Sequence, residues 1–134
     1  MGTREAGGNR PQASQVVLGQ EFSPWLYAEL NPTTPKPCES WKDIPELISC
    51  FAEEYGVDKN KATRIARCES GFSPTAFNSL YGASGIYQHL RNLWPARVKI
   101  YGAPEGTSPF DPYWNVRISM QMFKENLWRL WVCK

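Results

Sequence analysis

The sequence predicts one small, mainly α-helical domain. Two observations lead to this fold class: apolar residues recur at helical spacing between capping residues, and no convincing run of residues alternates as strands would. The chain has 134 residues, of which 42% are hydrophobic, so it can form one domain with its own core and is too short for two. We therefore expect a single compact domain preceded by an N-terminal segment.

The N-terminal segment is predicted to comprise residues 1–37, and the compact domain residues 38–134. Residues 1–20 are polar and rich in glycine, which predicts a mobile start. A short helix is expected after Ser23, because this N-cap residue is followed by a proline that suits the first helical position. Residues 31–37 are rich in proline and predict an extended linker.

Two helices are predicted at the start of the compact domain. Residues 44–55 place apolar side chains on one face, with Asp43 as the N-cap and Gly56 as the end. Residues 59–70 form the second helix, with Asp58 as its cap. Both assignments combine a period of 3.6 residues with capping chemistry.

One acidic side chain lies on the apolar face of the second helix. Ala62, Ile65, Ala66 and Glu69 occupy positions i, i+3, i+4 and i+7, which share one side of a helix. Gly71 follows as a C-terminal stop. Glu69 is therefore expected at the end of the helix, on the buried stripe rather than on the solvated face.

The remaining chain is predicted to be mostly short helices and turns. Residues 72–85 are small and turn-forming, with no strand period, and short helices are expected at residues 86–90 and 93–101. Residues 103–109 are predicted to form a loop. An Asp-Pro pair then opens a last helix over residues 112–131, with a core stripe that begins at Val116.

The composition limits the classes of partner. A net charge of only +2 gives no electrostatic footprint for nucleic acid, and no stretch is long enough to span a bilayer. No metal or cofactor motif accompanies the one histidine, His89, so we expect no cofactor. The sequence gives no oligomeric signal, and we expect a monomer. Basic residues outnumber acidic ones after Glu69, which fits an anionic polymer such as the bacterial cell wall and equally an ordinary solvated surface.

Four cysteines suggest a disulfide framework and an oxidising compartment. Zinc is the rival interpretation, but the sequence has no C-x-x-C spacing. Of the three possible pairings we favour Cys38–Cys50 with Cys68–Cys133. The second pair would tie the C-terminus to the residue beside Glu69, and closing so long a loop is worth about 4 kcal/mol in the chain-entropy model.

The surroundings of Glu69 suggest a sugar-cleaving site with one acid/base. Burial on an apolar face and the negative end of the helix dipole both raise the pKa of a carboxyl group, as general acid catalysis requires. Residues 70–104 contain no Asp or Glu but several amides and hydroxyls, which suits substrate-assisted chemistry. A second carboxylate would have to come from Glu105 or Asp111. The alternative is a helix-end carboxylate that only pairs with an arginine or a backbone amide.

Aromatic residues make up 13% of the chain and would provide stacking surfaces for sugar rings in an elongated groove. Core packing accounts for most of them. The best groove candidates adjoin turns or polar motifs, and they are Tyr81, Tyr87, Tyr101 and Tyr113. His89 is a candidate base, although a lone histidine beside glutamine reads more readily as a polar surface residue.

Three sequence blocks resemble a known family. Residues 69–76 (ESGFSPTA) resemble its catalytic E-S-x-F-x-P-x-A block, and residues 82–88 (GASGIYQ) its G-A-x-G-L-x-Q block. Residues 110–116 (FDPYWNV) resemble its later segment with Asn before an aliphatic residue. In order and spacing these blocks are similar to the soluble lytic transglycosylase domain of the lysozyme-like superfamily, in secreted actinobacterial or phage versions. The likeness covers residues 44–133.

The resemblance implies a lysozyme-like domain with a substrate groove that acts on peptidoglycan glycan strands. Glu69 would protonate the β-1,4 bond between N-acetylmuramic acid and N-acetylglucosamine and then act as base in closing a 1,6-anhydro ring. Gln88 and Asn115 would hydrogen-bond the sugar, while Ser70 would support the loop of Glu69. The residues implied to contact substrate are Ser70, Ser84, Tyr87, Gln88, Tyr113 and Asn115.

One departure from the family pattern keeps alternatives open. Many members carry a tyrosine in an A-Y-N-x-G block after the Asn segment, whereas this chain continues as LWRLWVC at residues 127–133. Tyr87 or Tyr113 would have to replace that tyrosine. A hydrolytic lysozyme and a non-catalytic glycan-binding or virion module are therefore the alternatives. We expect a secreted or cell-envelope protein or, since no signal peptide is visible, a phage virion or lysis protein.

Overall fold

A computed structural model describes residues 36–133. The predictions for residues 1–35 lie outside this part of the chain. Contacts divide the chain into Met1–Glu39 and Ser40–Lys134, and the elements below belong to the second unit. The predicted boundary after residue 37 stays a prediction. The helices are α1 (Ile44–Tyr55), α2 (Lys59–Ser70), α3 (Trp94–Ile100) and α4 (Pro112–Lys124), the strands are β1 (Phe77–Asn78), β2 (Ala83–Ser84) and β3 (His89–Leu90), and a 3₁₀ helix spans Trp128–Leu130.

Helices α1 and α2 have the predicted bounds because both ends are capped as the sequence indicates. The carboxylate of Asp43 accepts from the Glu46 N–H at 2.9 Å, and Gly56 ends α1 with a left-handed φ of 68°. Asp58 accepts from the Lys61 N–H at 3.0 Å in the same way. Each cap is worth about 1 kcal/mol. The mainly α-helical class is confirmed.

The core lies where α1 packs against α2 and α4. Each of these helices turns its apolar stripe toward the other elements, and removing such side chains from water supplies most of the favourable free energy of folding. Helix α4 is buried over most of its length, including three polar or charged residues. Fully buried apolar side chains of this core are Leu47, Ile48, Phe51, Ile65, Val116, Ile118 and Met120.

The predicted extension of the last helix to residue 131 is wrong. Helix α4 ends at Lys124, and Asn126 adopts a left-handed φ of 64° that no continuing α-helix accommodates. The chain then turns through the 3₁₀ helix into Trp131, which is buried. The apolar spacing of residues 127–130 resembled a helix, but the side chain of Leu130 is 49% exposed and belongs to no core stripe.

The predicted helix at residues 86–90 is wrong, because residues 86–88 form a turn and residues 89–90 form the last strand of a three-stranded antiparallel sheet. Strand β2 is central and pairs Ser84 with Phe77 of β1 and with His89 of β3. The strands are two residues long, so they carry no alternation for a sequence pattern to reveal. Two left-handed glycines, Gly82 and Gly85, make the tight reversals on either side of β2.

Both predicted disulfides are present. Cys68 and Cys133 are bonded with their Cα atoms 5.8 Å apart, across 65 residues of sequence. Cys38 and Cys50 are also disulfide-bonded, which completes the pairing of the four cysteines. Within residues 36–133, no group of side chains forms a metal-binding cluster, and no helix has the length and hydropathy to cross a membrane.

Candidate active site

Glu69 lies in the last turn of α2 and is half-buried. Burial raises the pKa of its carboxyl group, because the charged form loses hydration, and this is the direction the sequence predicted. The backbone N–H of Cys133 opposes the shift by donating to the carboxylate. The site therefore combines an apolar environment that favours the protonated acid with one donor that favours the carboxylate.

Ser70 ties the end of α2 to the loop that follows β2. Its hydroxyl donates to the carbonyl of Ile86 at 2.8 Å, and its oxygen accepts from the Ser73 N–H at 3.2 Å. These bonds hold the turn after Glu69 against the loop at residues 85–88. The bonds fix the backbone beside Glu69 from both directions, and the supporting role implied for Ser70 stays a prediction.

The loop at residues 85–88 depends on a glycine. Gly85 has a φ of 80°, and a Cβ atom built there would collide with the side-chain amide nitrogen of Asn115 and the carbonyl oxygen of Pro109. Only glycine provides both the left-handed backbone and the missing side chain. The G-A-x-G pattern in the sequence therefore reflects close backbone packing at this point.

Asn115 lies beneath that loop and is fully buried. Its Oδ1 accepts from the Tyr87 N–H at 2.9 Å, and its Nδ2 donates to the carbonyls of Ser84 and Pro109 at 3.3 and 2.7 Å. The two amide hydrogens are thus both used within the protein. Asn115 acts in this structure as a clamp between α4 and the loop.

Two further predicted contact residues, Ser84 and Tyr87, are also fully buried. The Ser84 hydroxyl donates to the Gly82 carbonyl at 3.1 Å. The Tyr87 hydroxyl donates to the carbonyl of Ala62 in α2 at 2.8 Å, and burial raises the pKa of this phenol well above its usual value. The polar atoms of both side chains therefore make their hydrogen bonds inside the protein.

Gln88 is a predicted contact residue with hydrogen-bonding capacity left over. It is half-buried and has a left-handed φ of 54°, which is uncommon for a residue other than glycine. Its Nε2 donates to the carbonyls of Ala76 and Gly85 at 3.2 and 2.9 Å. Its Oε1 accepts no hydrogen bond from residues 36–133, so it remains available to a donor on a ligand.

The other tyrosines fall into different environments. Tyr113 is half-buried, accepts from the Arg117 guanidinium at 2.8 Å and meets the Phe51 ring edge-on at 5.2 Å between centroids. Tyr81 is 68% exposed on the turn between β1 and β2. The Tyr101 hydroxyl donates to Glu125 at 2.9 Å, and burial together with that acceptor raises its pKa to about 12.

His89 is buried, so the interpretation as a polar surface residue is wrong. Its Nδ1 lies 2.9 Å from the Arg97 guanidinium, and its Nε2 lies 2.7 Å from the Ser119 hydroxyl, which donates to the Asn115 carbonyl at 2.7 Å. An arginine can only donate, so Nδ1 is the acceptor and Nε2 carries the proton. Burial and the Arg97 charge lower the His89 pKa to about 3.

Sequence reasoning missed this buried polar chain. It links β3, α3 and α4 beneath the loop, through His89, Arg97 and Ser119. The one signal was the spacing of Ser119, which lies four residues after Asn115 and therefore on the same inward face of the last helix. Nothing in the sequence indicated that Arg97, on another helix, would reach the imidazole.

The two acidic residues considered as partners of Glu69 have other surroundings. The carboxylate of Asp111 caps α4 by accepting from the Trp114 N–H at 3.2 Å. Glu105 lies in an exposed loop and borders a cavity of about 540 Å³, together with Trp94 and Lys99. The structure thus gives Asp111 the helix-capping position that its sequence context predicted.

Comparison with known families assigns the domain. Residues 46–130 match the model of the Transglycosylase SLT domain, which is more than half of the chain. The chain belongs to this family. The match contains all three sequence blocks that carried the resemblance, with Glu69 in the first of them, and the predicted family is confirmed.

No curated protein matches the chain significantly. Membership supports a transglycosylase or peptidoglycan-acting function in general.

Proposed function

We propose that this protein cleaves the β-1,4 bond between N-acetylmuramic acid and N-acetylglucosamine in peptidoglycan, as a lytic transglycosylase. The observation that carries the proposal is the half-buried carboxyl group of Glu69, whose pKa is raised at the end of α2. A raised pKa keeps the carboxyl group protonated closer to neutral pH, as a general acid requires.

Glu69 would serve as acid and then as base. It first donates its proton to the glycosidic oxygen while the bond from that oxygen to the muramyl C1 breaks. The muramyl 6-hydroxyl then attacks C1 and returns its proton to Glu69, so no water is consumed. Within the sequence, residues 70–104 supply no second carboxylate, and the N-acetyl group of the sugar would stabilise the positive centre instead.

The surrounding residues would have two kinds of role. Gln88 is proposed to accept a hydrogen bond from the sugar through Oε1, and the exposed ring of Tyr81 to stack on a sugar face. Tyr113, which is half-buried, remains a proposed substrate contact. For Asn115, Ser84 and Tyr87 we propose positioning roles, because their polar atoms bond within the protein.

The sequence also gives a reason to test hydrolysis. The chain lacks the A-Y-N-x-G block of many family members, and Glu105 borders a cavity, so hydrolysis with a water-activating carboxylate is the second candidate mechanism.

The disulfides are compatible with a protein that acts outside the reducing cytosol, either secreted or released as a phage component. We propose a monomer that needs no cofactor.

Mass spectrometry of products from purified peptidoglycan tests the proposal. Muropeptides with 1,6-anhydro ends, one water lighter than hydrolysis products, are expected from the wild type. Glu69→Gln should abolish turnover while keeping glycan binding, and Glu105→Gln is the matched control that should leave turnover intact. Reducing ends lost in Glu105→Gln would establish hydrolysis instead. Equal glycan binding without any cleavage in all three proteins would indicate a binding module.

A further inference from the structure

The chain beyond α4 returns to Glu69 and is fastened at two points. Trp131 is 5% exposed, and its indole N–H donates to the Tyr87 carbonyl at 2.8 Å. Two residues later, Cys133 is bonded to Cys68, the residue immediately before Glu69. Residues 131–133, which we name the C-terminal clasp, are therefore joined both to α2 and to the loop at residues 85–88.

The clasp delivers a backbone donor to the acidic residue. The N–H of Cys133 donates to the Glu69 carboxylate. Val132, between the two anchors, is 94% exposed and contributes no packing of its own. The position of the Cys133 N–H consequently depends on the disulfide on one side and on the buried indole on the other.

Two charged side chains of α2 lie over aromatic rings. Lys61 lies over the Trp128 ring at 4.4 Å, and Arg67 lies over the Phe72 ring at 5.9 Å. Arg64 and Arg129 are exposed on α2 and the 3₁₀ helix. The Tyr87 hydroxyl, on the loop packed against α2, donates to the Ala62 carbonyl. Within residues 36–133, the Cys133 N–H is the donor that lowers the pKa of Glu69.

We propose that the C-terminal clasp is a positioning element for Glu69, in which the Cys68–Cys133 disulfide holds a backbone donor against the carboxylate. The clasp lies beyond residue 130, where the match to the family ends. The proposal rests on the proposed function, because it assigns the donor a role in the acid/base cycle. A fixed donor stabilises the carboxylate that forms when Glu69 gives up its proton, and it occupies a carboxylate lone pair.

The first test compares two double variants. Cys68→Ser/Cys133→Ser releases the clasp, and Cys38→Ser/Cys50→Ser removes the other disulfide as a matched control. In the released variant we expect kcat to fall about tenfold with KM unchanged, since the donor touches Glu69 and not the sugar. The alkaline limb of the pH profile of kcat/KM should move to higher pH, because losing the donor raises the Glu69 pKa.

A second variant separates the donor from the disulfide. Semisynthesis with mercaptolactate in place of Cys133 keeps the sulfur and replaces the amide N–H by an ester oxygen. The expected result is the same displacement of the pH profile, and of the Glu69 titration followed by carbon NMR. An unchanged Glu69 titration in this ester protein would overturn the proposal, even if the serine variants do not fold.

The NMR readout keeps the two proposals apart. If wild-type protein does not cleave peptidoglycan while the ester protein shows a displaced Glu69 titration, the proposed function fails and the contact between clasp and carboxylate stands. If wild-type protein cleaves and the ester protein has both the wild-type titration and the wild-type pH profile, the clasp has no positioning role.

Discussion

Asn115 shows how a single polar side chain organises this site. It is fully buried, and its one amide group serves Tyr87, Ser84 and Pro109 at once. A leucine of similar size would leave those three backbone groups without partners in a place that water does not reach. The family resemblance implied a sugar contact at this position, and in the structure the side chain holds the surrounding backbone.

Replacing Asn115 by alanine should therefore destabilise the domain strongly. Buried donors and acceptors left without partners cost about 1–3 kcal/mol each, and partial access of water reduces the sum, so we expect a loss of about 3 kcal/mol in the free energy of unfolding. Urea denaturation measures it. Asn92→Ala, at an exposed position on a turn, is the control and should change the stability by less than about 0.5 kcal/mol. Similar midpoints for the two variants would contradict the clamp.

Gly85 gives the second prediction at the residue scale. Gly85→Ala meets both a left-handed φ and a collision with Asn115 and Pro109, so we expect a loss of more than about 3 kcal/mol and of activity. Gly106→Ala is the matched control, because Gly106 has a φ of 86° and open space around it. The control isolates the backbone strain, about 1–2 kcal/mol. Equal thermal stabilities would refute the packing argument.

At the scale of elements, the buried chain from Arg97 through His89 to Ser119 connects α3, β3 and α4. This connection needs a neutral imidazole, since Nδ1 accepts from an arginine. Helix α3, strand β3 and helix α4 are joined here by hydrogen bonds. The sheet by itself is too small to be stable. The loop that carries Gln88 is therefore held in position by two helices, α3 and α4.

This connection predicts weaker folding in mild acid. Unfolded His89 binds a proton below about pH 6.5, whereas folded His89 does so only near pH 3. The unfolded state thus binds more protons in that window, and the free energy of unfolding should fall by up to about 1.4 kcal/mol per pH unit as pH drops from 6.5. Urea titrations at several pH values measure the slope. In His89→Gln the slope over this window should be clearly smaller; an unchanged slope would exclude His89 as its source.

The sequence predicted α1 and α2 well because their caps are local. Asp43 and Asp58 act within one turn of the helices they start, so composition near each boundary was sufficient. The sheet and the end of α4 were mispredicted because tertiary contacts define them. Glu69 could be placed from helical periodicity, but nothing in a turn-rich segment distinguishes an inward Ser84 or Tyr87 from an outward one. Their burial became visible only in the packed structure.

At the scale of the whole molecule, two covalent links supplement a modest core. A domain of about 100 residues leaves a small net stability after conformational entropy is subtracted. In the chain-entropy model a cross-link removes more freedom from the unfolded chain when it closes a longer loop. Cys68–Cys133 closes 65 residues of sequence separation, and the Cys38–Cys50 loop is much shorter.

The two disulfides should therefore contribute unequally. We expect Cys68→Ser/Cys133→Ser to lower the free energy of unfolding by about 4 kcal/mol and Cys38→Ser/Cys50→Ser by about 3 kcal/mol. Chemical denaturation of both variants and the wild type, without reductant, gives the comparison. The reverse order would show that loop length does not determine the relative contributions of the two disulfides, and that contacts in the folded state do.

The long covalent loop also has a consequence for proteolysis. Any single cut between residues 69 and 132 leaves both pieces joined through Cys68 and Cys133. The exposed loop around Glu105 is the kind of place where a protease cuts first. A nicked molecule would keep Glu69, the loop at residues 85–88 and the clasp on one connected framework, and it would separate into fragments only after reduction.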